Sequence, residues 1–121
     1  IACGCMVASA LTAAEDLKGR GVKARVLNMH TIKPLDEQSI LAAAQETGAI
    51  VTAEEHQSRG GLGGAVAETL AHHHPVPMES VSLTGYGTSG TYSELFLRYG
   101  LTSEAIQERV WSTMRRRDRK A

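Results

Sequence analysis

Five consecutive residues, Ala49-Ile50-Val51-Thr52-Ala53, restrict this chain more than any other stretch. The run is short, β-branched and apolar toward both sides, so it offers no polar face to water. Such a strand is buried on both faces, as in the middle of a parallel sheet covered by helices. Helical patterns flank it as that arrangement requires. Before it, Asp36 is a good N-cap for a helix that turns Ile40, Leu41 and Ala44 inward and ends at Gly48. After it, Gly63 or Gly64 opens a helix through Ala65, Val66, Thr69 and Leu70. That helix reaches His72-His73-His74, where Pro75 and Pro77 forbid continuation.

The rest of the chain repeats the alternation. Ile1-Ala2-Cys3-Gly4 reads as the end of a buried strand. Met6, Val7, Ala10, Leu11, Ala14 and Leu17 then recur at helical spacing until Gly19-Arg20-Gly21. Val22 to Met29 alternates apolar and basic before turning apolar, which predicts a second strand; His30 to Asp36, with Pro34, breaks it. Met78 to Leu83 is a fourth strand, followed by the glycine-rich loop Thr84 to Gly90. Thr91 and Glu94 form a capping box for a short helix over Leu95, Phe96 and Tyr99, closed by Gly100. Thr102 caps the last helix, with Leu101 and Ile106 as a hydrophobic staple and Ile106, Val110 and Met114 as its inner stripe.

The order β-α-β-α-β-α-β-α-α predicts an α/β fold with right-handed crossovers and a parallel sheet covered on both faces. If the first strand is central, the strand order reverses between Cys3-Gly4-Cys5 and Glu54-Glu55-His56. Ligands and partners gather outside the carboxyl ends of strands at such a point.

A length of 121 residues with 42% hydrophobic content corresponds to one domain. Because it opens inside a strand, the chain is expected to be a fragment of a longer polypeptide. No apolar run approaches about 18 residues, so no membrane-spanning helix and no membrane partner are expected. Cys3 and Cys5 lie too close for an ordinary disulfide framework and lack partners for a zinc site, which fits small packing residues in a reducing, cytoplasmic setting.

The zero net charge conceals an uneven distribution: residues 109–121 hold six Lys/Arg and one Asp, and residues 1–108 hold seven Lys/Arg and twelve Asp/Glu. The run Arg115-Arg116-Arg117-Asp118-Arg119-Lys120 reads as a solvated helix end whose cations suit the helix dipole. No aromatic or glycine-rich RNA signature accompanies it, so no nucleic-acid partner is expected. The three adjacent histidines point in different directions on a helix and cannot converge on one metal ion.

The polar concentration lies at Glu54-Glu55-His56-Gln57-Ser58-Arg59-Gly60-Gly61-Leu62-Gly63-Gly64. A carboxylate orienting an imidazole would make an acid–base pair. Yet no nucleophile motif accompanies it, since Gly87-Thr88-Ser89-Gly90 lacks the Gly-x-Ser-x-Gly form. The glycines open a helix after a strand, so their N–H groups could cradle an anion. Their spacing matches neither the dinucleotide fingerprint nor the Walker loop, and a wide turn with close approach of another backbone explains them as well. Glu54, Glu55, His56 and Arg59, with Gly60, Gly61, Gly63 and Gly64, are therefore candidates for an interface or crevice. No catalytic, cofactor-binding or metal residue is assigned.

Thr31-Ile32-Lys33-Pro34-Leu35-Asp36, then Thr52-Ala53-Glu54-Glu55-His56 and Gly60-Gly61-Leu62-Gly63-Gly64-Ala65-Val66, closely resemble the C-terminal domain of the transketolase family. Gly87-Thr88-Ser89-Gly90, Glu94-Leu95 and Tyr99-Gly100-Leu101-Thr102 look most like transketolase itself, particularly the separately encoded C-terminal half of some prokaryotes. Sister families are deoxyxylulose-phosphate synthase and the beta subunit of 2-oxoacid dehydrogenases.

The resemblance implies a three-layer α/β/α domain with a mostly parallel sheet, lacking here the family's first, antiparallel strand. It implies an assembly or regulatory domain, inactive alone, whose partners are the remaining domains or N-terminal subunit of a homo-oligomeric, dimer-forming pentose-phosphate enzyme. Thiamine diphosphate and Mg are expected in the parent enzyme, bound between the two preceding domains and not by this chain. The parent reaction implied is transfer of a two-carbon ketol unit between sugar phosphates. A stand-alone anion-binding regulatory module is the alternative that the glycine-rich helix start leaves open.

Overall fold

A computed structural model describes residues 1–119; Lys120, the last cation of the basic run, and Ala121 lie outside the described residues. Along the chain come α1 (Met6–Gly19), α2 (Glu37–Thr47), β1 (Ile50–Gln57), α3 (Leu62–His73), β2 (Met78–Leu83), α4 (Tyr92–Arg98) and α5 (Ser103–Asp118). β1 and β2 run parallel, with Ile50 opposite Met78 and Ala53 opposite Val81.

On the other edge of β1, Ala2 forms parallel bridges to both Ala53 and Asn28. The Ala53 N–H donates to the Ile1 carbonyl at 2.9 Å, and the Met29 N–H donates to the Ala2 carbonyl at 2.8 Å. Across the sheet the order is therefore residues 27–29, Ala2, β1, β2. It reverses between the opening residues and β1, as the sequence predicts.

Two of the four expected strands are shorter than expected. The one over residues 22–29 is reduced to its bridge at Asn28, and the opening one to Ala2. A ladder needs a neighbour at every step. Residues 1–3 reach only residues 27–29, so residues 23–26 have no backbone hydrogen-bond partner among the described residues.

Three layers result. One core cluster joins Met6, Ala10 and Ala13 of α1, Ala53 and Val81 of the sheet, and Leu101 and Ile106 at the start of α5. The other joins Ile40, Ala43 and Ala44 of α2 to Ile50 and to Leu62, Val66 and Leu70 of α3. The apolar run Ala49 to Ala53 thus gives Ile50 to one layer and Ala53 to the other, which is why it could spare no polar face.

The caps form as expected. The Asp36 carboxylate accepts from the Ser39 N–H at 3.0 Å, and Gly48 ends α2 at φ 67°. Thr91 and Glu94 make a reciprocal capping box, and the Thr102 hydroxyl accepts from the Ala105 N–H. In α1 the buried residues are Met6, Ala10, Ala13 and Leu17. Leu11, expected inward, is 56% exposed; it sits about 130° round the helix from the centre of that stripe. Val110 and Met114 of α5 are only half-buried, and Gln107 and Thr113 take the deeper places.

The basic end of α5 is not simply solvated. Arg117 Nη1 donates to the Thr47 carbonyl at 3.2 Å, just before β1, and Arg116 Nη1 donates to the Met78 carbonyl at 3.0 Å, at the start of β2. Glu79 adds hydrogen bonds from Ser112 and Arg109. The amino ends of both strands are therefore clamped by α5, and the chemistry-bearing stretch lies at the opposite, carboxyl end.

Candidate functional site

The last residues of β1 leave the regular ladder. Ala53 pairs with Val81 and Gln57 with Leu83, so three residues of β1 oppose one of β2. A bulge of this kind re-aims side chains at the rim of a sheet. It is held closed by the Gln57 amide donating to the Gly85 carbonyl at 2.8 Å and by the Ser58 N–H donating to the Leu83 carbonyl at 2.7 Å.

Glu54 turns inward from this bulge and is 1% exposed. Its Oε2 accepts from the Leu62 N–H at 2.7 Å and its Oε1 from the Gly63 N–H at 2.8 Å. These are donors of the first turn of α3, whose N-cap residue Gly61 has no side chain to satisfy them. A carboxylate reached across from the preceding strand does so instead, and the positive end of the helix dipole favours its charge.

The glycines around it follow from that placement. A Cβ on Gly61 would overlap Glu54 Oε2, and one on Gly63 would stand 3.1 Å from Ser80 Oγ and 3.2 Å from both Glu54 Oε1 and Thr52 Oγ1. Gly60 is in the left-handed region at φ 86°, which other residues adopt at a cost. Gly64 faces open space.

Two sequence expectations are corrected here. The sequence presents Glu54, Gly61 and Gly63 as groups for meeting a neighbour, but Glu54 is consumed inside the chain and the two glycines make room for it. The reading of the helix start as an anion cradle fails for the same reason, because the Leu62 and Gly63 N–H groups that would hold the anion already hold a carboxylate.

The other candidates face outward: Glu55, His56, Arg59, Gly60 and Gly64 are all exposed. His56 Nδ1 lies 3.4 Å from the Gln57 carbonyl oxygen. Among the described residues it has no carboxylate partner, so the acid–base pair that Glu54, Glu55 and His56 could have formed is not assembled, in line with the interface reading preferred from the sequence. Glu55 leans over Gly4, where a Cβ would come 3.2 Å from its Oε1 and where φ is +56°.

Sequence reading missed the neighbours of Glu55. Cys5 is exposed, not the packing residue expected, while Cys3 is half-buried and packs against the cluster of Ile40, Ile50 and Leu62 as expected. Burial, then the Glu54 and Glu55 charges, push the Cys3 thiol up. Local desolvation, a hydrogen bond with Cys5 and the Cys5 and Glu55 charges push the Tyr92 hydroxyl up. Tyr92 is 61% exposed and stacks on Phe96 at 4.1 Å, Tyr86 is 99% exposed, and α4 buries none of its residues. The available signal was that Tyr86 and Tyr92 belonged to no core stripe.

The rim therefore carries a carboxylate, an imidazole, a guanidinium, a thiol and two phenols around a closed bulge, without a nucleophile held by a base. Such a surface can pair charges and bury aromatic area against another chain. Among the described residues no group of three His, Cys, Asp or Glu side chains is placed to hold a metal ion, and His72 and His73 are exposed with their rings edge to face at 6.3 Å. No helix among the described residues is long and apolar enough to cross a membrane.

Comparison with known proteins gives a family. Residues 1–106 match the model described as "Transketolase, C-terminal domain". The chain is similar to the "6-deoxy-6-sulfo-D-fructose transketolase subunit SqwH" of Clostridium sp. (strain MSTE9), 48% identical over 88% of this chain and 33% of that protein. It is also similar to the "Putative transketolase C-terminal section" of Methanocaldococcus jannaschii, 39% identical over 96% of this chain and 36% of that one. A solved structure titled "Split gene transketolase, inactive beta4 tetramer" superposes with a TM-score of 0.90 at 41% identity, covering 93% of this chain and 37% of that chain. The chain thus spans about a third of the length of these relatives. By its matched residues, its α/β layers and its parallel strand pairing, the chain belongs to the transketolase C-terminal domain family.

Proposed function

We propose that this chain is the C-terminal assembly domain of a transketolase-type enzyme that moves two-carbon ketol units between sugar phosphates, and that it is inactive alone. The observation that carries the reading is the division of the Glu54 to Gly64 stretch. The anion site at its helix start is closed by Glu54, and its free polar groups stand on an exposed rim.

Relatives whose names describe transketolase subunits, including one for apulose-4-phosphate in Phocaeicola vulgatus at 44% identity, support partners in the form of a separate polypeptide or further domains. Thiamine diphosphate and Mg belong, in this reading, to those partners. The residues present here do not fit them, since the helix start that would receive a diphosphate is filled by a carboxylate. Assembly through Glu55, His56 and Arg59, with Tyr86 and Tyr92 beside them, is the role left to this chain, in a cytoplasmic homo-oligomer.

The test is reconstitution. Ketol transfer is measured with the 121-residue chain alone, with the remaining polypeptide alone, and with both. Activity only in the mixture supports the proposal; turnover by the chain alone overturns it.

A second reading rests on 40% identity to the "1-deoxy-D-xylulose-5-phosphate synthase 2" of Geobacter sulfurreducens. Formation of 1-deoxy-D-xylulose-5-phosphate by the same mixture, without ketol transfer between sugar phosphates, would favour it.

A further inference from the structure

We draw no further inference here: the strongest candidate, the apolar slot of about 250 Å³ between residues 22–27 and the start of β1, lined also by Ala13, Leu17, Ile106 and Val110, carries nothing because nothing in the structure shows what covers it.

Discussion

Glu54 and Glu55 are adjacent, chemically identical and opposite in role. Glu54 is sealed under α3 with both oxygens occupied, while Glu55 stands at the rim beside Cys5 and Tyr92. The same division runs through the glycines, where Gly61 and Gly63 face the Glu54 carboxylate and Gly64 faces solvent. One stretch of eleven residues thus contains a structural device and a contact surface. What separates them is where the backbone aims, since residue type is shared between the two halves.

The largest expected effect lies in the inner half. Glu54→Ala leaves two buried N–H groups of α3 without partners, at roughly 1–3 kcal/mol each, so chemical denaturation should show a loss of about 3 kcal/mol. Glu54→Gln keeps one acceptor oxygen and should lose less. A loss under about 0.5 kcal/mol, the usual surface value, would place Glu54 with Glu55 and break the comparison.

The glycines give a graded series. Gly61→Ala must displace the Glu54 carboxylate and should cost about 2 kcal/mol, in the range of overpacking. Gly63→Ala meets contacts of 3.1–3.2 Å, and its steric cost is partly offset by the better helix propensity of alanine, about 1 kcal/mol. Gly64→Ala has the propensity gain without the contacts, and should stabilise by about 0.5–1 kcal/mol. Melting temperatures in any other order would mean that the Glu54 pocket is not what fixes these positions.

The smallest effect is expected in the outer half. Glu55→Gln should leave stability within about 0.5 kcal/mol. Because the Glu55 charge helps to hold the Cys3 thiol up, its removal should shift the alkylation profile of Cys3 to lower pH, measured in a Cys5→Ser background. An unchanged profile would show that burial and Glu54 account for the thiol alone.

Much of this was legible in residues with local signatures. Asp36, Gly48, Thr91, Glu94 and Thr102 declare helix ends through side chains or backbone freedom that act within three or four residues. The both-sided apolar run at Ala49 to Ala53 announced the parallel sheet and hence the switch point at Ala2 and Ala53.

The residues that misled depend on distant partners. Whether Val22 to Met29 becomes a ladder is decided by how far its neighbour extends. Which of two glutamates turns inward is decided by a bulge whose register belongs to β2 as much as to β1. No periodicity in 54–64 reports that bulge, and Gly61 read as a turn open to the close approach of another backbone because its crowding by Glu54 exists only once α3 has folded back.

The family resemblance reached the fold and the membership directly. It said nothing of the inner and outer halves of the rim. His56 is the residue on which that division can be tested most directly, being exposed and, among the described residues, bonded to nothing stronger than a carbonyl at 3.4 Å.

The decisive measurement compares His56→Ala with the unaltered chain in two assays, melting of the chain itself and its association with the remaining polypeptide. Stability should stay within about 0.5 kcal/mol, and the association constant should fall about tenfold, or about 1.4 kcal/mol. Equal losses in folding and association, or no loss of association, would contradict the assignment of the outer half to assembly.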